Sequence, residues 1–244
     1  MLLSCIKNEN RKLHHSVIWL ACVFIPIIPA IMGTGNYWMN LEILHDGWYS
    51  LWTQFSLFYS LFFFPPMIGL YAAYLWRLEH FNHNWNTLMT MPVPEIDICL
   101  SKLFVLCKVA VITQIWMLIL FFLCGKYIGL PGGIPIDMIF WSLRGTLAAF
   151  AIGSCQLFLS MVIRSFAIPI GIALGGGVIG MLLTAVNSSY GFFWPYSLMF
   201  MGMNANKSQN VLSGTMAVYL ISNVFFFVLF LGIVLFILKK KDCK

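Results

Sequence analysis

Charge is what this chain has least of. Asp, Glu, Lys and Arg make up 9% of its 244 residues, and only eight of them are acidic. Soluble domains carry about 25% charged residues, because a water-facing surface needs them. The shortage excludes a soluble globular enzyme and a disordered chain. It also excludes a nucleic-acid-binding domain with a basic face, so no nucleic acid is expected as a partner.

The motifs of several chemistries are missing as well. No phosphate-binding Gly-rich loop ending in Gly-Lys-Ser/Thr occurs. Gly125-Lys126 is followed by Tyr127, so ATP is not bound by that route. His80 and His83 follow Glu79 without HExxH spacing or a third ligand, and read as solvated loop histidines. His14 and His15 read as interfacial. No Gly-x-Ser-x-Gly elbow is present, and no catalytic group, metal or cofactor is expected. Cys5, Cys99 and Cys243 fall in basic-side segments, and Cys22, Cys107, Cys124 and Cys155 in apolar ones. None lies in an outer loop, so a disulfide framework is not expected.

Apolar length is what the chain does have. Hydrophobic residues make up 61% of it. A helix needs about 20 apolar residues to cross a bilayer. Six segments qualify: 16–33, 51–76, 103–124, 138–163, 166–186 and 216–238. They predict an all-α membrane protein forming a single transmembrane domain over 1–244. Eleven of the 14 Lys/Arg fall on the side that holds both termini, and Lys126, Arg144 and Lys207 fall on the other. The positive-inside rule therefore places both termini in the cytoplasm.

Ionisable groups within the spans are few. Lys108 lies close enough to the basic end of its helix to snorkel. Arg144 lies deeper, with Asp137 two turns away on the same face. The two could pair structurally, or Arg144 could meet a substrate. Buried acids do not run across the bilayer, which argues against a proton-coupled carrier. Helix 5 carries small residues four apart, at Ala167, Gly171 and Gly175, with Gly176 and Gly180 beside them. That spacing serves helix packing or a subunit contact. Pro26, Pro29 and Pro65-Pro66 should kink helices 1 and 2.

Two loops carry further information. In residues 77–102, Leu78, Phe81, Trp85, Leu88 and Met89 trace one face of a short helix, which Pro92 and Pro94 end. Such a helix lies at the membrane interface or presents its polar face to a partner. Residues 187–214 hold Tyr190, Phe192, Phe193, Trp194, Tyr196 and Phe200, too apolar for a free aqueous loop. An interfacial or partly re-entrant hairpin fits, acting as a lid or as a gate for an amphipathic peptide.

Glu79, Trp85, Leu88, Pro92-Val93-Pro94 and Ser101-Lys102 resemble the first cytoplasmic loop of type-2 ABC exporter permeases. In that family an acidic residue opens the loop, a Leu-x-x-x-Pro-Val stretch follows, and a Lys precedes the third helix. Residues 1–13, with Leu2, Leu3, Ile6 and Leu13 among Lys7, Arg11 and Lys12, resemble the family's interfacial elbow helix. The loop departs from many relatives in having little basic charge after Arg77. Within the family the chain is most similar to the small permeases of lantibiotic-immunity and bacitracin-resistance exporters. Its short length, Asn36-Tyr37-Trp38 after helix 1, and Phe193-Trp194-Pro195-Tyr196-Ser197-Leu198 carry that likeness.

The resemblance implies a bacterial cell-membrane transport subunit with ATP hydrolysis on a separate ABC ATPase chain. Its partners would be that ATPase, a second permease copy or a paralogous permease, the lipid bilayer, and an antimicrobial peptide as cargo. It implies ATPase coupling through Glu79, Phe81, Trp85, Leu88, Met89 and Pro92, and a dimer interface involving helices 1, 2 and 5. Phe193, Trp194, Pro195 and Tyr196 would form the outer gate. A non-transporting scaffold or sensor that binds a partner through the same loop is the alternative.

Overall fold

A computed structural model describes residues 1–14, 16–80, 85, 92–205 and 209–242. Phe81, Leu88 and Met89 of the expected coupling helix lie outside the described residues, as do His15, His83, Lys207 and Cys243. Every described regular element is helical. Helix α1 spans Leu2–Leu13. Glu9 and Leu13, one turn apart, are its buried residues, and Arg11 and Lys12 sit where the helix dipole favours positive charge.

The first span comprises α2, Ile18–Phe24, and α3, Ile27–Met39. They part at Ile25-Pro26, where proline supplies no N–H. The span runs to Met39, past the expected end at residue 33. Asn36-Tyr37-Trp38 therefore lies inside α3 rather than after it. Gly33 explains the close approach of the next helix, since a Cβ there would sit 2.5 Å from Phe55 Cα.

The second span is α4, Trp48–Phe58, a π-helical turn Tyr59–Phe63, and α5, Phe64–His80. Pro65 and Pro66 cannot donate to the carbonyls four residues back, those of Leu61 and Phe62. A π turn in that position absorbs the mismatch, so the prolines change the winding without breaking the helix. Gly177, on a neighbouring helix, abuts the Leu61 carbonyl so closely that a Cβ would lie 2.5 Å from its oxygen.

Four longer elements complete the bundle. Helix α6 is Glu95–Ile128, α7 is Ile136–Val162, α8 is Ala167–Val186, and α10 is Met216–Asp242. Between α8 and α10 lie a 3-10 turn, Ser188–Phe193, and a short helix α9, Ser197–Gly202. Helix α6 starts well before the expected residue 103, so Asp97 and Ser101-Lys102 are helical rather than loop. Pro94 opens it, and Glu95 and Asp97 complement the positive end of its dipole.

Six helical stretches are long and apolar enough to cross a membrane. Their burial ranks them. The most apolar windows of the second span and of α7 are each 67% buried, against 28% for α8 and 17% for α10. Helix α7 is the hub, packed on α5, α6, α9 and α10. The outer helices turn Ile172, Ile221, Val224 and Phe225 outward, the surface a lipid-solvated bundle requires.

Candidate functional sites at the two ends of the bundle

Where α1, α5 and α6 meet, four side chains form a closed ring of alternating charge. Lys12 Nζ lies 2.6 Å from Glu9 Oε1 and 2.7 Å from Glu79 Oε1. Lys102 Nζ lies 2.6 Å from Glu79 Oε1 and 3.2 Å from Glu9 Oε1. Its third proton goes to the Leu75 carbonyl at 2.7 Å. All three ammonium donors of Lys102 are thus used, which is what permits its side chain to be 0% exposed. Trp76 adds a π face 4.7 Å from the ammonium.

Burial pushes the Glu79 carboxyl up, but Lys102 and Lys12 outweigh it and hold the group below its ordinary 4.5. Burial likewise opposes the charge of Lys12, and Glu79 and Glu9 reverse that, raising it above 10.5. Glu79 and Lys12 therefore both carry their charges near neutrality. Glu79 is 4% exposed, so it is a brace between helices rather than a group on an open face.

Trp85 extends this brace toward the loop. It is tilted against Trp76 with ring centroids 5.6 Å apart, and stacked on His80 at 6.1 Å. His80 is not a solvated loop residue: it ends α5 and its Nε2–H donates to the Ser160 carbonyl at 2.8 Å. Pro92 is exposed in a bend before α6. Lys108 reaches toward α1, donating to Asn10 Oδ1.

The opposite end is closed without salt bridges among the described residues. Leu198, Met199, Phe200 and Met201 of α9 are buried. Trp52 Nε1 donates to the Met203 carbonyl at 2.7 Å, and Tyr219 Oη to the Arg144 carbonyl at 2.7 Å. Asn204 adopts φ 52°, and its Oδ1 accepts from the Val211 N–H at 2.7 Å. The expected gate residues separate here. Phe193 is 80% exposed, whereas Pro195 and Tyr196 are buried. Trp194 Nε1 donates to the Gly176 carbonyl at 2.9 Å, and Gln156 Nε2 to Tyr196 Oη at 2.6 Å. The segment folds into the bundle, where irregular backbone at membrane depth is tolerated.

The four singled-out glycines also divide. A Cβ at Gly176 would meet the Tyr196 ring at 2.6 Å, and one at Gly180 the Ser197 nitrogen at 2.7 Å. Gly171 and Gly175 have nothing within 4 Å of that position. Gly177, which was not singled out, is the α8 glycine whose Cβ position abuts the backbone of the second span. Asp137 and Arg144 do not pair. Asp137 Oδ2 accepts from Tyr49 Oη at 2.8 Å, and Arg144 Nη1 donates to Asn210 Oδ1 at 2.9 Å. Arg144 is buried, and its Nε and Nη2 have no partner. No cluster of His, Cys, Asp and Glu among the described residues could hold a metal ion.

Six membrane-length helices and a charge-braced N-terminal helix define a multi-pass helical membrane protein. A family model described as "ABC-2 family transporter protein" matches residues 5–180, well over half of the chain, and the chain belongs to that family. It is thus a permease subunit of an ABC transporter, a membrane transport subunit rather than the catalytic one, and the family implies an ABC ATPase partner. No curated protein and no solved structure matches it significantly.

Proposed function

We propose that two such permeases stand side by side over two separate ATPase chains and export an amphipathic antimicrobial peptide. Both termini would then be cytoplasmic in a bacterial cell membrane, and the peptide would leave the bilayer on the far side. The paired permease is an identical copy or a paralogue.

The observation that carries this reading is the ring of Glu9, Lys12, Glu79 and Lys102. It fastens α1 to α5 and α6, so a push on the loop that follows α5 moves three helices as one body. Trp85 and Pro92 belong to the surface that receives the push. Glu79 acts indirectly, by holding the lever rather than touching the ATPase. The open stripe of Gly171 and Gly175 is the natural contact with the second permease, since small residues let helices approach. Phe193 is the exposed member of the outer gate.

Co-expression with candidate ATPases tests the reading. Peptide should stimulate ATP hydrolysis in the reconstituted complex, and cells should gain peptide resistance. Trp85→Ala should leave membrane insertion and ATPase binding intact but abolish the stimulation. Hydrolysis indifferent to every amphipathic peptide would remove the cargo assignment while leaving the permease assignment standing.

A further inference from the structure

On the other side of α5 from the charge ring, a cavity of about 180 Å³ opens between the ends of α5 and α7 and the start of α8. Among the described residues its charged lining is Arg77 and Arg164, with His80, Ser160 and Ser165 as further polar groups. The Arg77 guanidinium lies 5.5 Å over the Phe166 ring. Ser160 is among the lining residues, and its Oγ is buried without a hydrogen-bond partner. An unpaired buried hydroxyl is costly, and a ligand acceptor within its reach would relieve that cost.

The lining thus offers two permanent positive charges and an unused hydroxyl. Helix α8 adds the positive end of its dipole, because it begins at Ala167 beside the cavity. Together these are the chemistry of a phosphate site. The position says which phosphate. The cavity sits where three spans end, at headgroup depth. Beside it Val162 and Ile168 are each 52% exposed, giving an apolar surface along which an acyl chain can lie.

We propose that this cavity binds the phosphate of an anionic membrane lipid. Arg77 and Arg164 supply the charge, and Ser160 Oγ donates a hydrogen bond to a phosphate oxygen. Basic pockets between membrane helices take anionic headgroups in this way. Bound there, the lipid bridges α5, α7 and α8 beside the loop that faces the ATPase. The assignment does not depend on the cargo.

The test uses the full chain, delipidated in detergent, with native mass spectrometry and thermal unfolding as readouts. Phosphatidylglycerol should be retained at least roughly tenfold better than phosphatidylcholine, as two favourable arginine contacts require. Arg164→Gln, at an exposed position, should cut that preference several-fold, and the double change Arg77→Gln with Arg164→Gln should erase it. Ser160→Ala should weaken it without lowering the unfolding temperature of the lipid-free protein, which loses an unpaired hydroxyl. Lys126→Gln, at the opposite end of the bundle, should leave it intact. Equal retention of both lipids, or a preference that survives the double change, overturns the proposal. So does protection by millimolar inorganic phosphate as strong as that by phosphatidylglycerol, which would make the ligand a free anion.

Discussion

The two ends of this bundle are built from different forces. At the α1 end, four charges in a closed ring hold three helices together. At the far end, indole, phenol and amide groups donate to carbonyls and to one another, and glycines let backbone meet backbone. An ionic brace is strong only while every member is present, because a removed partner leaves a buried charge uncompensated. A plug of neutral hydrogen bonds and close packing loses stability in smaller steps. The end proposed to receive force from another chain is therefore all-or-none, and the end proposed to gate is graded.

Lys102→Met should break the comparison most sharply. It strands Glu9 and Glu79 with Lys12 alone and should cost about 3–5 kcal/mol. Thermal unfolding would show the loss, and limited proteolysis should place it at α1. Adding Glu79→Gln to Lys102→Met should recover part of it, which a simple packing defect would not. Gly180→Leu comes next, since its side chain must displace the Ser197 backbone, at about 1–3 kcal/mol. It should loosen the outer segment to hydrogen exchange and leave α1 protected. Gly175→Leu should not change monomer stability, and should weaken cross-linking between permeases.

Tyr196→Phe removes the hydroxyl that Gln156 uses and should cost about 1 kcal/mol, with no dependence on pH. Within the ordinary pH range the contact of Glu79 with Lys12 should be just as indifferent. The depressed carboxyl of Glu79 stabilises the fold above 4.5, and that contribution fades as pH falls through its lower folded-state value. The raised ammonium of Lys12 contributes below 10.5, and its share fades as pH climbs through the higher folded-state value. Proteolytic release of α1 should therefore be flat between these limits and rise outside them. A release rate that changes between pH 6 and 8, roughly where histidine titrates, would mean that another group controls the docking.

The membrane spans were legible because hydropathy is a local property, and all six segments are there. Their ends were not. Hydropathy stops at the last apolar residue, whereas α6 continues back through Lys102, Ser101 and Asp97. Those polar groups are helical because Glu9, Glu79 and the Ile98 carbonyl accept from Lys102 and Ser101. The ring was half visible. Glu79 and Lys102 stood out, but as loop residues, and Glu9 carried no signal because its partners are remote in sequence. Asp137 and Arg144 had the spacing of a pair, yet Tyr49 and Asn210 took them. The glycine pattern located the small-residue helix without saying which faces were covered. Gly176 and Gly180 lie under the outer segment, and Gly171 and Gly175 lie open. Most of the coupling segment, including Phe81, Leu88 and Met89, lies outside the described residues.

The π turn at Tyr59–Phe63 has a bearing on how this sequence tolerates insertions and deletions. Each residue advances a helix by about 100°, so the one extra residue in that turn sets the angular phase of everything before it. Trp48, Trp52 and Phe55 face the core because of it, while Tyr71 and Trp76 face the core on the far side of it. Shortening the turn by a single residue would rotate the first group toward lipid and leave the second in place. Length at this one turn is thus a coding property of the chain, independent of which side chains occupy it.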